Sequence, residues 1–141
     1  MQYILAYADG ARREVYAESR WAAPPARLLE KALARRLLSG TSEIHSAGCH
    51  LRVELDEFVQ VYDAPGSSLA LVELRAMLMA PRANVLLLRR SFRQSPAAGA
   101  DARSGVLAFA TATHDLGAEI ERWLKQMTEQ MPALVESCRA G

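Results

Sequence analysis

Ser19-Arg20-Trp21-Ala22-Ala23-Pro24-Pro25-Ala26-Arg27-Leu28-Leu29 turns an extended chain into a helix within a few residues. Trp21 is a large apolar anchor. Pro24 and Pro25 fix φ and remove two backbone donors, which the first helical turn tolerates because those N–H groups have no intrahelical partner. Behind them Leu28, Leu29, Ala32, Leu33 and Leu37 recur at helical spacing, with Arg27, Glu30, Lys31, Arg35 and Arg36 on the other side. Gly40 is a plausible stop. The spacing predicts a helix from about Pro24 to Leu38 that a strand feeds through Trp21. The tryptophan is either a structural corner or the platform of a binding edge, and local chemistry favours the corner.

On the N-terminal side, Tyr3, Leu5 and Tyr7 alternate with Ile4, Ala6 and Ala8, which reads as a strand. Asp9-Gly10 reads as a tight turn, and Glu14 to Arg20 as the returning strand. On the C-terminal side, Thr41 to Gly48 is a polar connector. Leu51, Val53 and Leu55 then alternate with Arg52, Glu54 and Asp56. The alternation stumbles at Glu57-Phe58 before Val59 and Val61 resume the first parity, as at a bulge or where a strand gains a second covered face. Ala64-Pro65-Gly66-Ser67 is a turn. Ala70, Val72, Leu74, Ala76 and Leu78 form one face of a long strand, and Val85 to Arg93 returns as a third. After the Ser95 to Ala100 loop, Asp101 or Ser104 caps a helix. Its face carries Val106, Phe109, Ala110, Thr113, Leu116, Gly117, Ile120, Trp123, Leu124 and Met127. Pro132 breaks or restarts it, and the tail to Gly141 is expected to fray or pack loosely. The fold class that follows is α+β: a two-layer sandwich with a mainly antiparallel sheet, β-β-α-β-β-β-α, and two helices packed on one face. The 141 residues fit one domain, 1–141.

Composition excludes several functions. A net charge of +1 argues against a general nucleic-acid binder. No run of about 18 apolar residues could span a bilayer. Met1-Gln2-Tyr3-Ile4-Leu5 has neither the basic start nor the long apolar stretch of a signal peptide, and no cysteine sits where a lipid could be attached. As written, the chain would stay in the cytoplasm, if Met1 is its natural start. Cys49 and Cys138 do not make a disulfide framework; one bridge in an oxidising compartment is open, and two unrelated buried thiols are the favoured expectation.

The search for chemistry returns little. No Gly-rich phosphate loop and no nucleophile motif is present. His45, Cys49 and His50 are the one local group of metal-capable side chains, but their spacing matches no structural zinc pattern. His114-Asp115 are helix neighbours expected to point apart. Glu54 and Asp56 share a strand face that reads as solvated, not as a glycosidase pair. Neither catalytic nor cofactor-binding nor metal residues are assigned. Arg82, Arg89, Arg90, Arg93 and Arg103 fall within residues 82–103, opposed there by Asp101 alone. They read as a solvated face or as a contact for an acidic partner or anionic headgroups.

Met1-x-Tyr3, Tyr16, Ser19-Arg20-Trp21-Ala22-x-Pro24-Pro25-Ala26-x-Leu28-Leu29, Leu51-x-Val53-x-Leu55-x-x-Phe58, Ser67-Ser68, Leu74-Arg75-Ala76, Arg90-x-Phe92 and Gly105-Val106-x-Ala108 carry a resemblance over nearly the whole chain. The chain resembles the ABC-type transport auxiliary lipoproteins of the paraquat-inducible protein C type. That resemblance implies a non-enzymatic, periplasmic module tethered to the outer membrane through a lipid anchor. It implies partners in an MCE-domain protein and ABC transporter components, with homo-oligomers possible. Trp21, Arg82, Arg89, Arg90 and Arg93 become candidate partner or lipid contacts. Family members begin with a signal peptide, a lipidated cysteine and a leading segment that supplies part of the fold. The present start therefore implies a shortened form or a divergent soluble relative. The rival expectation is a cytoplasmic small-ligand binder or a metal-dependent enzyme built on His45, Cys49 and His50.

Overall fold

A computed structural model describes residues 1–10, 12–39, 47–82 and 84–140. The chain runs through β1 (Gln2–Leu5), α1 (Ala6–Asp9), β2 (Arg13–Val15), α2 (Pro25–Ser39), β3 (His50–Ala64), β4 (Ser67–Met79), β5 (Leu86–Gln94), β6 (Ala97–Ala98), α3 (Ala102–Gln130) and α4 (Pro132–Arg139). The sheet has six strands in the order β2-β1-β3-β4-β5, with β6 also paired to β4. β3, β4 and β5 form an antiparallel meander. The helices cover one face, so the expected α+β sandwich is the observed architecture.

The N-terminal segment differs from its expected hairpin. β1 and β2 do pair antiparallel, Gln2 opposite Val15, but a short helix joins them in place of a tight turn at Asp9-Gly10. Ala6 and Ala8 supply the alternation that looks like strand, yet alanine is a weak strand former and the best helix former. The return strand ends at Val15, well short of Arg20. β1 also pairs parallel with β3, Tyr3 opposite Gln60 and Ile4 opposite Val61, so it is a central strand of the sheet.

The break in β3 is a bulge. Leu55 lies opposite Leu74 and Glu57 opposite Glu73, which leaves Asp56 as the extra residue. An extra residue moves everything beyond it to the other face. Val59 and Val61 keep the odd numbering of Leu51 to Leu55 but lie opposite Leu71 and Leu69, away from the helices. Phe58, Gln60 and Tyr62 take the helix side instead. Val59 is nonetheless fully buried, so the strand also gains its second covered face.

On the helix side the core joins Leu29 and Leu33 of α2 to Val72, Leu74 and Leu78 of β4 and to Phe109, Leu116 and Ile120 of α3. The buried face of α3 is as expected from Leu116 onward, but its first half differs. Gly105, Ala108 and Ala112 are buried, while Val106 is 41% exposed. The helix begins so close to β3 and β4 that small residues are required there, and apolar spacing alone points to the wrong side.

Pro132 restarts the chain as α4, which packs through Leu134, Val135 and Cys138. Cys49, just before β3, and Cys138, in the last turn of α4, form a disulfide with their Cα atoms 5.0 Å apart. Both residues are buried. Gly48 makes the approach possible: at φ 99° it adopts a backbone that side-chain-bearing residues disfavour, against the Cys138 carbonyl. The bridge corrects the expectation of two unrelated thiols, and the packed α4 corrects that of a loose tail. It closes a loop of 89 residues, and links of that span contribute about 2–5 kcal/mol. The C49A/C138A double variant is expected to lose stability in that range in urea unfolding, and reductant is expected to shift the parent protein the same way while leaving the variant unmoved.

Candidate functional site

The deepest polar feature lies where β3, β4 and the start of α3 meet. The bulge delivers Gln60 into the core, where it is fully buried. Its Oε1 accepts from the Tyr16 hydroxyl at 2.8 Å. Its Nε2 donates to Ser68 Oγ at 2.8 Å and to the Asp101 carbonyl at 3.2 Å. Ser68 in turn donates to the Gly99 carbonyl at 2.7 Å. Tyr16 gives its one proton to Gln60, so in the 2.6 Å contact between Tyr16 and Tyr62 the donor is Tyr62. The protons thus run in one direction, Tyr62 to Tyr16 to Gln60 to Ser68 to the Gly99 carbonyl, and each donor of this network has an acceptor.

The network also fixes the start of α3. Asp101 is its N-cap, its Oδ1 accepting from the Ser104 amide at 2.7 Å. Ser104 Oγ donates to the Asp101 carbonyl and accepts from the Gly99 amide. Those bonds from Ser104 hold the Asp101 carboxyl below the usual carboxylate range. A Cβ on Gly105 would run into Gln60 Oε1 and lie 2.7 Å from Met1 Cε. Each polar group of the cluster is spent on a bond to another segment of the chain, so the arrangement acts as a lock between sheet and helix. Burial, and after it the Tyr62 hydrogen bond, push the Tyr16 phenol far above the ordinary tyrosine value.

The residues singled out in the sequence fall in several places. Trp21 is half-buried and forms an aromatic cluster: its ring centroid is 5.5 Å from Phe58 and 5.6 Å from Phe109, which stack on each other at 4.2 Å. The corner therefore has a packing role. Beside it a shallow groove of about 330 Å³ opens between Pro24-Pro25 and the β3 bulge. Its charges are matched: Arg13 Nη2 donates to both Glu57 carboxylate oxygens at 2.7 and 2.8 Å.

His45 lies outside the described residues. His50 is exposed at the start of β3, and Cys49 is committed to the disulfide, so the thiolate that the His45, Cys49 and His50 grouping required does not exist. Among the described residues no cluster of His, Cys, Asp and Glu could hold a metal ion. His114 and Asp115, expected to point apart, meet at 3.3 Å on an exposed helix surface. Glu54 and Asp56 both pair with Arg75, at 3.2 and 2.7 Å. The Arg75 hydrogen bonds hold the Asp56 carboxyl low, with Arg89 adding to the effect.

The arginines do not form one patch. Arg82 is exposed in the β4–β5 turn. Arg93 pairs with Glu73 at 3.3 Å on the open face. Arg90 points to the helix side, its guanidinium carbon 5.1 Å from the centroid of the Phe92 ring. Gln60 was not singled out in the sequence. Its signal is a lone amide inside Phe58-Val59-Gln60-Val61-Tyr62, where an unpaired polar group would be costly.

No family model matches the chain, and no curated protein does. Solved structures share its fold, among them the following two. The Xanthomonas campestris protein XCC0632, of the family model DUF330, superposes with a TM-score of 0.75 at 19% identity, covering 92% of this chain and 79% of that one. A "putative lipoprotein" from Caulobacter crescentus superposes with a TM-score of 0.51 at 10% identity, covering 80% and 87%. At these identities the likeness is one of fold.

The lock makes two predictions. Alanine normally stabilises a helix by about 1 kcal/mol relative to glycine. At Gly105 the sign reverses, and Gly105→Ala is expected to cost about 1–3 kcal/mol because the clash is with a fixed amide. At Gly117 the clash is with the flexible Arg36 Cδ at 2.6 Å, so Gly117→Ala is expected to stay within about 1 kcal/mol of the parent. Urea midpoints measured side by side decide this. The raised Tyr16 value means that the folded protein keeps a proton which the unfolded chain releases near pH 10. Stability is therefore expected to hold below about pH 10 and fall above it. Tyr16→Phe is expected to cost about 1 kcal/mol at neutral pH and to flatten that alkaline fall.

Proposed function

We propose that this chain is the folded domain of an envelope lipoprotein, a non-enzymatic accessory component of an ABC/MCE-type intermembrane lipid transport system. The Cys49–Cys138 disulfide carries the reading, because such bridges persist in oxidising compartments such as the periplasm and are rare in a reducing cytosol. The lipoprotein description of the Caulobacter crescentus protein supports it. So does the fold shared with a DUF330 protein, the family to which the paraquat-inducible protein C type belongs. Among the described residues no helix is long and apolar enough to cross a membrane. The work of such a module is docking, on an MCE-domain protein and in homo-oligomers. Trp21, Arg82, Arg89, Arg90 and Arg93 are its candidate contacts.

Fractionation of cells expressing the native gene, combined with thiol trapping, tests the compartment. Protein in the outer-membrane fraction with both cysteines blocked is expected. Protein in the cytosol with two free thiols would overturn the proposal. Cross-linking in the same cells is expected to yield an adduct with an MCE-domain protein, and the absence of any such adduct would remove the transport role.

A further inference from the structure

β5 is an edge strand of unusual character. It pairs with β4 from Leu86 to Gln94 and stands at the end of the strand order. Its outer side therefore presents a row of backbone donors and acceptors with no strand beside it among the described residues. Nine residues make a long edge, and proteins commonly protect such edges with charge. Here the charge is one-sided. On the open face Arg52, Arg75 and Arg93 each have a carboxylate partner. Arg89 and Arg90 are exposed, and among the described residues neither is in an ion pair. Adjacent strand positions point to opposite faces: Arg90 lies on the side of Phe92, Arg89 on that of Arg93. Two guanidinium groups therefore flank the same stretch of open edge without an ion pair among the described residues, Arg90 over the Phe92 ring on one face and Arg89, which acts on Asp56 through its field alone, on the other.

We infer that the β5 edge is a strand-addition site for an extended acidic segment of another protein, one whose two adjacent carboxylates meet Arg89 and Arg90 from opposite faces of the sheet. The backbone supplies the docking and the arginines supply the selection, as in other edge-strand recognition. A second copy of this chain is a poor occupant along the full strand. A two-fold pairing centred on Arg90 would set Arg90 against Arg90, and like charges directly opposite are destabilising. An acidic strand turns the same two residues into cross-strand ion pairs. Arg89 and Arg90 are also candidate contacts in the transport reading, but the strand-addition site is argued from the sheet edge and its charges and stands without that role.

The test uses the full chain and a blocked nine-residue peptide of alternating valine and threonine with two adjacent glutamates at its centre. A control peptide carries glutamines there. NMR-detected hydrogen exchange is expected to show β5 amides gaining protection with the glutamate peptide, and the control is expected to bind about five- to tenfold more weakly. R89E/R90E is expected to lose binding to the glutamate peptide and to gain it for a lysine version. R89Q/R90Q, which removes charge without reversing it, is expected to weaken binding without changing the amide spectrum elsewhere. Protection outside β5, or equal binding by parent and R89E/R90E, would overturn the inference. So would β5 protection by self-association without peptide. Arginine-dependent sedimentation with phosphatidylglycerol vesicles in the absence of peptide protection would overturn it in favour of a membrane contact.

Discussion

A single buried amide governs how the two layers of this protein meet. Gln60 reaches the core because Asp56 is an extra residue in β3, and the bulge turns the strand over. Once there, leaving it unpaired would cost roughly 1–3 kcal/mol. The surroundings are arranged to prevent that cost. Tyr16 arrives just after β2, Ser68 from β4, and the Gly99 and Asp101 carbonyls from the entry to α3. Each comes from a different part of the chain, so satisfying one side chain fixes four segments relative to one another. An aliphatic residue could fill the volume of Gln60 without setting those directions. That is the difference between a core that is merely dry and one that specifies a register.

The same constraint explains the glycine and alanines in the first half of α3. To bring the Asp101 carbonyl within reach of Gln60, the helix must approach the sheet closely. Gly105, Ala108 and Ala112 form the buried side there, whereas Val106 lies on the outside. Farther along, the interface widens and holds Leu116, Ile120 and Trp123, with the Trp123 ring 5.6 Å from Phe92. The helix is thus tapered against the sheet, tight at the polar lock and wide at the aliphatic core.

Much of the fold is legible in the sequence, for definite reasons. Pro24-Pro25 and the leucine spacing place α2, and strict alternation places β4. The Glu57-Phe58 stumble locates the bulge. What is misread depends on contacts between distant segments. Alternation through Ala8 looks like strand because apolar spacing cannot see alanine's helical preference. Val59 and Val61 keep the right parity but lose the right face, because the stumble marks a bulge without showing which face the strand turns inward beyond it. Val106 looks like core because spacing does not reveal how near the sheet is. Cys49 and Cys138 are 89 positions apart, and nothing local announces their pairing. The site residues follow the same rule. Trp21 is readable as a corner from its neighbours, whereas the role of Gln60 needs Tyr16, Ser68 and Gly99 to be seen together.

The distribution of charge follows from how each surface is closed. On the open face of the sheet Arg75 serves both Glu54 and Asp56, and Arg93 serves Glu73, so most of that face is internally neutralised. Exposed pairs of this kind add little stability, about 0–1 kcal/mol each. Their effect is instead to leave the face without net attraction for a charged partner. The two ends of the sheet are treated differently. β2 is only three residues long, and Arg13 is held by Glu57, so that end offers neither length nor free charge. β5 offers both. A fold whose two layers are locked by the Gln60 network, and whose open-face Arg52, Arg75 and Arg93 are each held by a carboxylate, concentrates its capacity for recognition at that edge.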